Sequence, residues 1–240
     1  MQRIVEVAEN VDRMQMQIPM RTELVELKER SLLKKENVYQ SFKRTSDVVI
    51  SAMALVALSP IMLLTAVLVK IDSKGPAFLV QERIGQDGKL FKMYKYRSMV
   101  VGADEILQKY LAENEEARKE YQTYKKLKDD PRVTKIGKFI RKTSIDELPQ
   151  LVNVLIGNMS LVGPRPYLPR EKDDMKSYYN CIIQSKPGIT GLWQVSGRSE
   201  TSFDERLSLD YTYNQSKGMK CDTKILIQTA FKVFKKEGAR

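Results

Sequence analysis

The chain has 240 residues, enough for one sizeable domain or a domain with an appendage. It contains no histidine, which excludes Ser-His-Asp and Cys-His mechanisms and leaves acid–base work to carboxylates, Lys, Tyr or Cys. A net charge of +11 points to a polyanionic partner, whether nucleic acid, an anionic membrane face or a phosphorylated substrate. The two cysteines, Cys181 and Cys221, are too few for a disulfide scaffold and lack metal-ligand spacing, which fits a reducing compartment.

Residues 1–42 form a polar arm in which Glu, Lys and Arg alternate densely, with loose helical spacing through Leu24, Leu27 and Leu32; it reads as a solvated helix or a partly ordered segment. Its opening lacks the uncharged apolar core of a signal peptide, so the start of the chain is expected to stay in the cytoplasm. From Val48 to Val69 there follow 22 residues without a charge, long enough to cross a bilayer as one helix. Ser59 and Pro60 lie at the middle. Proline removes a backbone hydrogen bond there, and the serine hydroxyl can satisfy a freed carbonyl. Lys43 and Arg44 precede the apolar run and Lys70 and Lys74 follow it, so both ends suit the cytoplasmic face. A re-entrant hairpin over residues 43–74, broken at Ser59-Pro60, is expected; a spanning helix with a proline kink is the alternative.

Residues 75–240 read as one folded domain of mixed helix and strand. Ala77–Gln81 and Leu90–Tyr96 have strand composition, with a turn at Gly85–Gly88 between them. Lys89, Lys92, Lys95 and Arg97 interleave with Phe91, Tyr94 and Tyr96, a pattern that suits either a phosphate-binding ribbon or a solvated strand face. Ala103–Lys128 is patterned as one exposed polar helix, ended by Asp130-Pro131.

The run Arg141–Leu151, RKTSIDELPQL, places two adjacent carboxylates, Asp146 and Glu147, just after a basic stretch. Arg141 and Lys142 favour their ionised forms. Pro149 is tolerated only in the first turn of a helix, so the helix through Leu151, Val152 and Leu155 is expected to begin at or near Asp146. A helix N-terminus suits phosphate as well as carboxylate, and a plain N-cap role for Asp146 stands beside a phosphate site. Downstream, Arg165 is held between Pro164 and Pro166, which suits bidentate phosphate recognition as well as a surface loop. Trp193 and Arg198 follow a second Gly/Pro loop, Lys186–Gly191, and helices are expected over Ser202–Asn214 and Cys221–Phe234. In the last of these, Ile225, Ile227, Phe231 and Phe234 sit among lysines, as in a basic amphipathic element at a membrane surface.

The blocks QERIGQDGKLFKMYKYRSM, DPRVTKIGKFIRKTSIDELPQLVNVLIGNMSLVGPRP and KPGITGLWQVSGR resemble, in this order, the bacterial sugar transferase family of monotopic phosphoglycosyl transferases, from about Lys43 to the end of the chain. The resemblance implies transfer of a sugar 1-phosphate from a UDP-sugar to undecaprenyl or another polyprenyl phosphate, with release of UMP, at the start of surface polysaccharide assembly. It implies that Asp146 is the nucleophile and carries a covalent phosphosugar, that Glu147 helps hold Mg2+, and that Arg141, Arg165 and Lys95 bind phosphate. Arg97 belongs with the phosphate-binding set by its block, and Trp193 and Arg198 with a nucleotide or sugar pocket. The implied partners are the two substrates and the inner face of a bacterial cytoplasmic membrane, with no nucleic acid; a homo-oligomer is compatible with the sequence. Larger members carry transmembrane helices where this chain has its polar arm. The expected fold is mixed α/β and mainly helical, with a re-entrant membrane hairpin and amphipathic helices carrying a small cytoplasmic catalytic core of low strand content. Two other readings compete: a basic, membrane-anchored binding module without catalysis, and a Mg2+-dependent hydrolase of lipid or nucleotide diphosphates.

Overall fold

In the computed structural model the backbone is described for residues 2–197 and 201–235, and side chains for residues 33–197 and 201–232. The chain divides into two compact units, residues 1–45 and 46–240. In order, the elements are α1 (Gln2–Asp72), β1 (Phe78–Ile84), β2 (Leu90–Tyr96), α2 (Ala103–Glu113), α3 (Glu115–Tyr124), α4 (Lys135–Lys142), α5 (Gln150–Ile156), β3 (Ser160–Val162), α6 (Tyr179–Ile182), β4 (Gly188–Thr190), α7 (Leu192–Ser196), α8 (Phe203–Ser216) and α9 (Met219–Lys235). The architecture is mainly helical with two small sheets: an antiparallel β1–β2 hairpin and a parallel β3–β4 pair.

The apolar part of α1 is a membrane-length helix with one face docked on its own domain. Asp47 Oδ1 accepts a hydrogen bond from Leu161 N at 2.9 Å, and Ala54 and Leu55 pack on the core formed around Phe91, Val154, Met159 and Val162. Further along, Met62, Ala66 and Val69 join Tyr96 and Ile140 in a second cluster, and the Tyr96 hydroxyl donates to the Met62 carbonyl at 2.7 Å. The opposite face is apolar and bare: Met53 is 60% exposed, Val56 76%, Leu63 69% and Ile71 77%. Helical structure runs uninterrupted through Ser59 and Pro60. The Ser59 hydroxyl donates to the Val56 carbonyl at 2.8 Å, the acceptor that Pro60 leaves without an N–H, so the side chain repairs the gap that proline makes.

Strand β2 and the turn agree with expectation, whereas β1 runs three residues past the expected Ala77–Gln81, to Ile84, and so takes Arg83 into the strand. Asp87 and Gly88 both adopt positive φ in the tight Gln86–Gly88 turn, where an aspartate and a glycine carry little steric penalty. The expected single helix over Ala103–Lys128 is two. Asn114 takes an extended conformation and its side chain accepts from Ala117 N at 2.9 Å, which starts α3 afresh as an N-cap. The α2–α3 pair carries its own small core of Leu107, Ala117 and Leu127.

Strands β3 and β4 fall where loops were expected. They approach so closely that a Cβ at Gly163 would come within 2.7 Å of the Gly188 amide nitrogen, so the pairing requires glycine on both sides. On α9 the proposed apolar stripe is divided between surroundings. Ile225 is buried at 1% exposure, whereas Ile227 and Phe231, one turn apart, are exposed.

Candidate active site

Asp146 lies in a 3-10 turn, Ile145–Glu147, between α4 and α5. The α-helix expected to start at Asp146 starts instead at Gln150, after Pro149. Ser144 enters the turn with φ of 57°, and this left-handed residue reverses the chain between α4 and the acidic pair. Asp146 therefore makes no N-cap bond to α5.

Four hydrogen bonds hold α4 and α5, which flank the turn, to the hairpin, to the segment after it and to α1. Asn153 on α5, fully buried, accepts from Tyr94 N at 2.9 Å and donates to the Lys92 carbonyl at 2.7 Å. One side-chain amide thus does for the outer edge of β2 what another strand would do. At the end of α4, Arg141 Nε donates to Ser98 Oγ at 2.8 Å. At its start, Ile136 N donates to the Asp72 carboxylate at 3.1 Å, tying α4 to the last turn of the apolar helix.

The hairpin supplies cations by strand alternation. Arg83 pairs with Phe91, Gln81 with Met93 and Leu79 with Lys95, so Arg83, Gln81 and Lys95 share the face that carries the buried Phe91 and Met93. Lys92 points the other way and is exposed, so the basic-aromatic run is not one phosphate-binding ribbon. Arg97 has a different role from the one its motif implied. Its guanidinium donates to the carbonyls of Lys74 at 2.8 Å and Ser73 at 2.7 Å, closing the C-terminal end of α1.

Lys95 and Arg141 are the cations that act most strongly on the Asp146 carboxylate. Burial nevertheless outweighs them and raises Asp146 above the ordinary aspartate value; the sequence expectation of a plainly ionised pair underrates this desolvation. Burial likewise lowers Lys95, with Asp146 opposing, and lowers Arg141, again with Asp146 opposing. The cluster is an acid and two bases that desolvate one another's charges. An added phosphate would complete its charge balance.

Arg165 reaches the cluster through a residue that sequence reasoning passed over. Arg83 is buried, donates to the Pro166 carbonyl at 3.0 Å and to Gln81 Oε1 at 2.6 Å, and is lowered to about 9 by burial and by Arg165. It stays charged at neutral pH. Arg206 is the second omission: its guanidinium binds the carbonyls of Tyr124 and Thr201, and burial, then Arg165, lower it to about 10. Arg165 and Arg206 each lie 5.5 Å from the centre of the Trp193 ring. The signal for Arg83 was present in the spacing of Gln81 and Arg83, two polar residues on one face of a strand. Arg206 stood inside a helical pattern and carried no such mark. Arg198 lies outside the described residues.

The comparisons with known proteins bear on this arrangement. The model of a family described as bacterial sugar transferase matches residues 38–236. The chain belongs to that family. It is 47% identical over 197 residues to the undecaprenyl-phosphate galactose phosphotransferase of Salmonella typhimurium, covering 82% of this chain and 41% of that protein. It is 44% identical over 187 residues to the exopolysaccharide production protein ExoY of Sinorhizobium fredii, covering 78% of this chain and 83% of ExoY. The UDP-glucose:undecaprenyl-phosphate glucose-1-phosphate transferase of Escherichia coli is 37% identical over 210 residues, covering 84% of this chain and 42% of the enzyme. This sugar transferase therefore spans about two fifths of the length of two of these relatives and most of the third. The matched residues contain both the Asp146 turn and the Arg165 loop.

Proposed function

We propose that the chain transfers a sugar 1-phosphate from a UDP-sugar to a polyprenyl phosphate at the cytoplasmic membrane face, opening the assembly of a surface polysaccharide. The observation that carries this reading is the Asp146 carboxylate, buried at 7% exposure between Lys95 and Arg141 in a chain without histidine. A carboxylate so placed can divide a displacement at phosphorus into two. An Asp146 oxygen attacks the phosphorus that bears the sugar, the bond to the UMP oxygen breaks, and UMP leaves. An oxygen of the lipid phosphate then attacks the same phosphorus, the acyl phosphate bond breaks, and Asp146 is regenerated. Lys95, Arg141 and Arg165, the last pinned by Arg83, stabilise charge on the phosphoryl oxygens. Trp193 and its two arginines line the way to the nucleotide.

Magnesium fits this donor set as a substrate-borne ion. Among the described residues no group of three acidic, histidine or cysteine side chains could cage a metal, and Mg2+ commonly binds through one or two carboxylates plus substrate phosphates. Glu147 is the residue that would hold it, and the ion would supply neutralisation of diphosphate charge.

The expected result is Mg2+-dependent UMP release when a panel including UDP-galactose and UDP-glucose is supplied with undecaprenyl phosphate. Without lipid, a single-turnover phosphosugar adduct is expected on Asp146. UMP release with sugar phosphate passed to water rather than lipid would make the chain a hydrolase. No release with any donor would leave a binding module.

The docking of α1 supports a re-entrant anchor, although the break expected at Ser59-Pro60 is absent and α1 continues through it. Residues on both sides of Ser59-Pro60, Asp47 in one half and Val69 in the other, pack on the same folded domain, while the opposite apolar face is exposed among the described residues. A bilayer between the two ends would separate contacts that the fold makes together. In sealed inside-out vesicles, tags before residue 43 and after residue 74 are therefore expected to be cut by added protease with equal ease; protection of the first tag alone would establish a spanning helix.

A further inference from the structure

The turn that carries Arg165 is built from residues with almost nothing to donate. Pro164 and Pro166 have no N–H, so the amide of Arg165 is the one backbone donor among these three residues, and it is spent on Asp210 Oδ2 at 3.0 Å. The same oxygen accepts from the Tyr167 hydroxyl at 2.8 Å. The carbonyls of the turn are also engaged: Pro164 O accepts from Gly188 N at 2.8 Å, Pro166 O from Arg83, and Tyr167 O from Ile84 N at 2.9 Å. Asp210 is completely buried on α8, one turn beyond Arg206. Its second oxygen, Oδ1, meets no hydrogen-bond donor among the described residues.

A buried carboxylate with one oxygen unmatched is costly, and a structure keeps it where something else depends on it. Burial raises Asp210 to about 7, against the lowering effect of its bonds to Arg165 and Tyr167. No lysine or arginine forms an ion pair with it among the described residues, although the charges of Arg165 and Arg206 attract it from beyond ion-pair distance. What it holds is a peptide unit.

We propose that Asp210 is a positioning residue for Arg165: it fixes the backbone of the Pro164–Tyr167 turn through one oxygen, while Trp193 supports the guanidinium. This rests on the reading of Arg165 as a phosphate ligand. Arg165 Nε and Trp193 Nε1 are buried without a hydrogen-bond partner among the described residues, and the Arg165 guanidinium lies 5.5 Å from the Trp193 ring centre, so two unspent donors belong to one contact. Oδ2 acts as an acceptor for two neutral donors, a role that an asparagine oxygen can also fill.

The test uses the full chain in detergent or nanodiscs, with the donor that supports UMP release, and compares Asp210→Ala, Asp210→Asn and Tyr167→Phe in wild-type and Arg165→Lys backgrounds. Arg165→Lys itself is expected to lower kcat/KM about 30-fold, since the fork is lost and the charge kept. Asp210→Ala is expected to lower kcat/KM about 100-fold in the wild-type background and at most about 3-fold more beside Arg165→Lys. Asparagine is expected to rescue to within about 5-fold, and Tyr167→Phe to cost about 5-fold in the wild type and nothing beside Arg165→Lys. Quenching of the sole tryptophan by UDP provides a second readout, with affinity weakened in step with kcat/KM. Equal losses in both backgrounds would overturn the proposal, as would an asparagine variant as impaired as alanine at an unchanged thermal transition. Should the alanine variant not fold, the asparagine and phenylalanine variants carry the same comparison. An Arg165→Lys variant with full activity would remove the parent reading instead, and this one with it.

Discussion

Replacing Asp146 by Asn is expected to lower turnover by about 10^4-fold or more, the scale on which enzymes lose activity when a covalent nucleophile is removed. The substitution keeps size and burial and removes the oxygen nucleophilicity, so the fold and the affinity for UDP are expected to survive. Relief of a buried charge favours an unchanged or higher thermal transition, because burial alone raises Asp146 from its ordinary value. The same burial sets the pH dependence of the wild type. Attack requires the deprotonated form, so kcat/KM is expected to fall with acidification through a value above the usual aspartate range, where an exposed carboxylate would still be ionised. Residual turnover by the Asn variant near the wild-type rate, or an acid limb at the ordinary aspartate value with full activity, would take Asp146 out of the chemistry.

Gly137→Ala is expected to be damaging although helix propensity favours it. Inside a regular helix alanine is better than glycine by about 1 kcal/mol, and Gly137 lies within α4 with no positive φ. The position is nevertheless closed. A Cβ there would collide with the Ser98 carbonyl oxygen and lie 2.8 Å from its carbon, while that oxygen accepts from Thr134 N and the Ser98 hydroxyl accepts from Arg141 Nε. Gly137 and Arg141 are one turn apart, so forcing the helix away from Ser98 draws the guanidinium from Asp146 as well. A displacement of this order is expected to lower kcat/KM about 100-fold and to cost about 1–3 kcal/mol of stability. Ser98→Ala serves as the control, removing the bond to Arg141 without moving α4, with an expected loss of about 10-fold. A Gly137→Ala chain more stable than the wild type and fully active would show that propensity alone governs α4.

Both results depend on how the apolar helix and the Asp146 turn share supports. Asp72 and Arg97 lie at the junction: the first holds the start of α4, the second the carbonyls that end α1. Arg141 on α4 is thereby referenced to the helix that carries the apolar face. In the proposed reaction, a lipid phosphate at headgroup depth and a UDP-sugar from solution would then meet the same carboxylate.

Much of this was written locally. Val48–Val69 is uncharged over a membrane-length run and the β2 pattern alternates with period two; each depends on neighbours a few residues away, which is why sequence alone reached it. The break expected at Ser59-Pro60 is absent, because the Ser59 hydroxyl takes the carbonyl that proline frees and the helix continues. The ordered motif blocks likewise pointed to the family and to Asp146, Lys95, Arg141 and Arg165 before any geometry was known. Arg97 was misread because a buried guanidinium and a phosphate-binding one have the same letter, and only the position of carbonyls some twenty residues upstream tells them apart. Arg83, Arg206 and Asp210 were missed for the same reason: their partners, Pro166, Tyr124 and Arg165, are remote along the chain and near only once it is folded. The protonation bias of Asp146 belongs to this second class, since charge neighbours can be counted in a sequence but desolvation depends on what the other elements exclude. Local periodicity and composition located the hairpin, the last two helices and the apolar run, but not the α2–α3 break, β3, β4 or the start of α5; long-range packing decided those and which charges face one another, because burial and distance are properties of the closed chain.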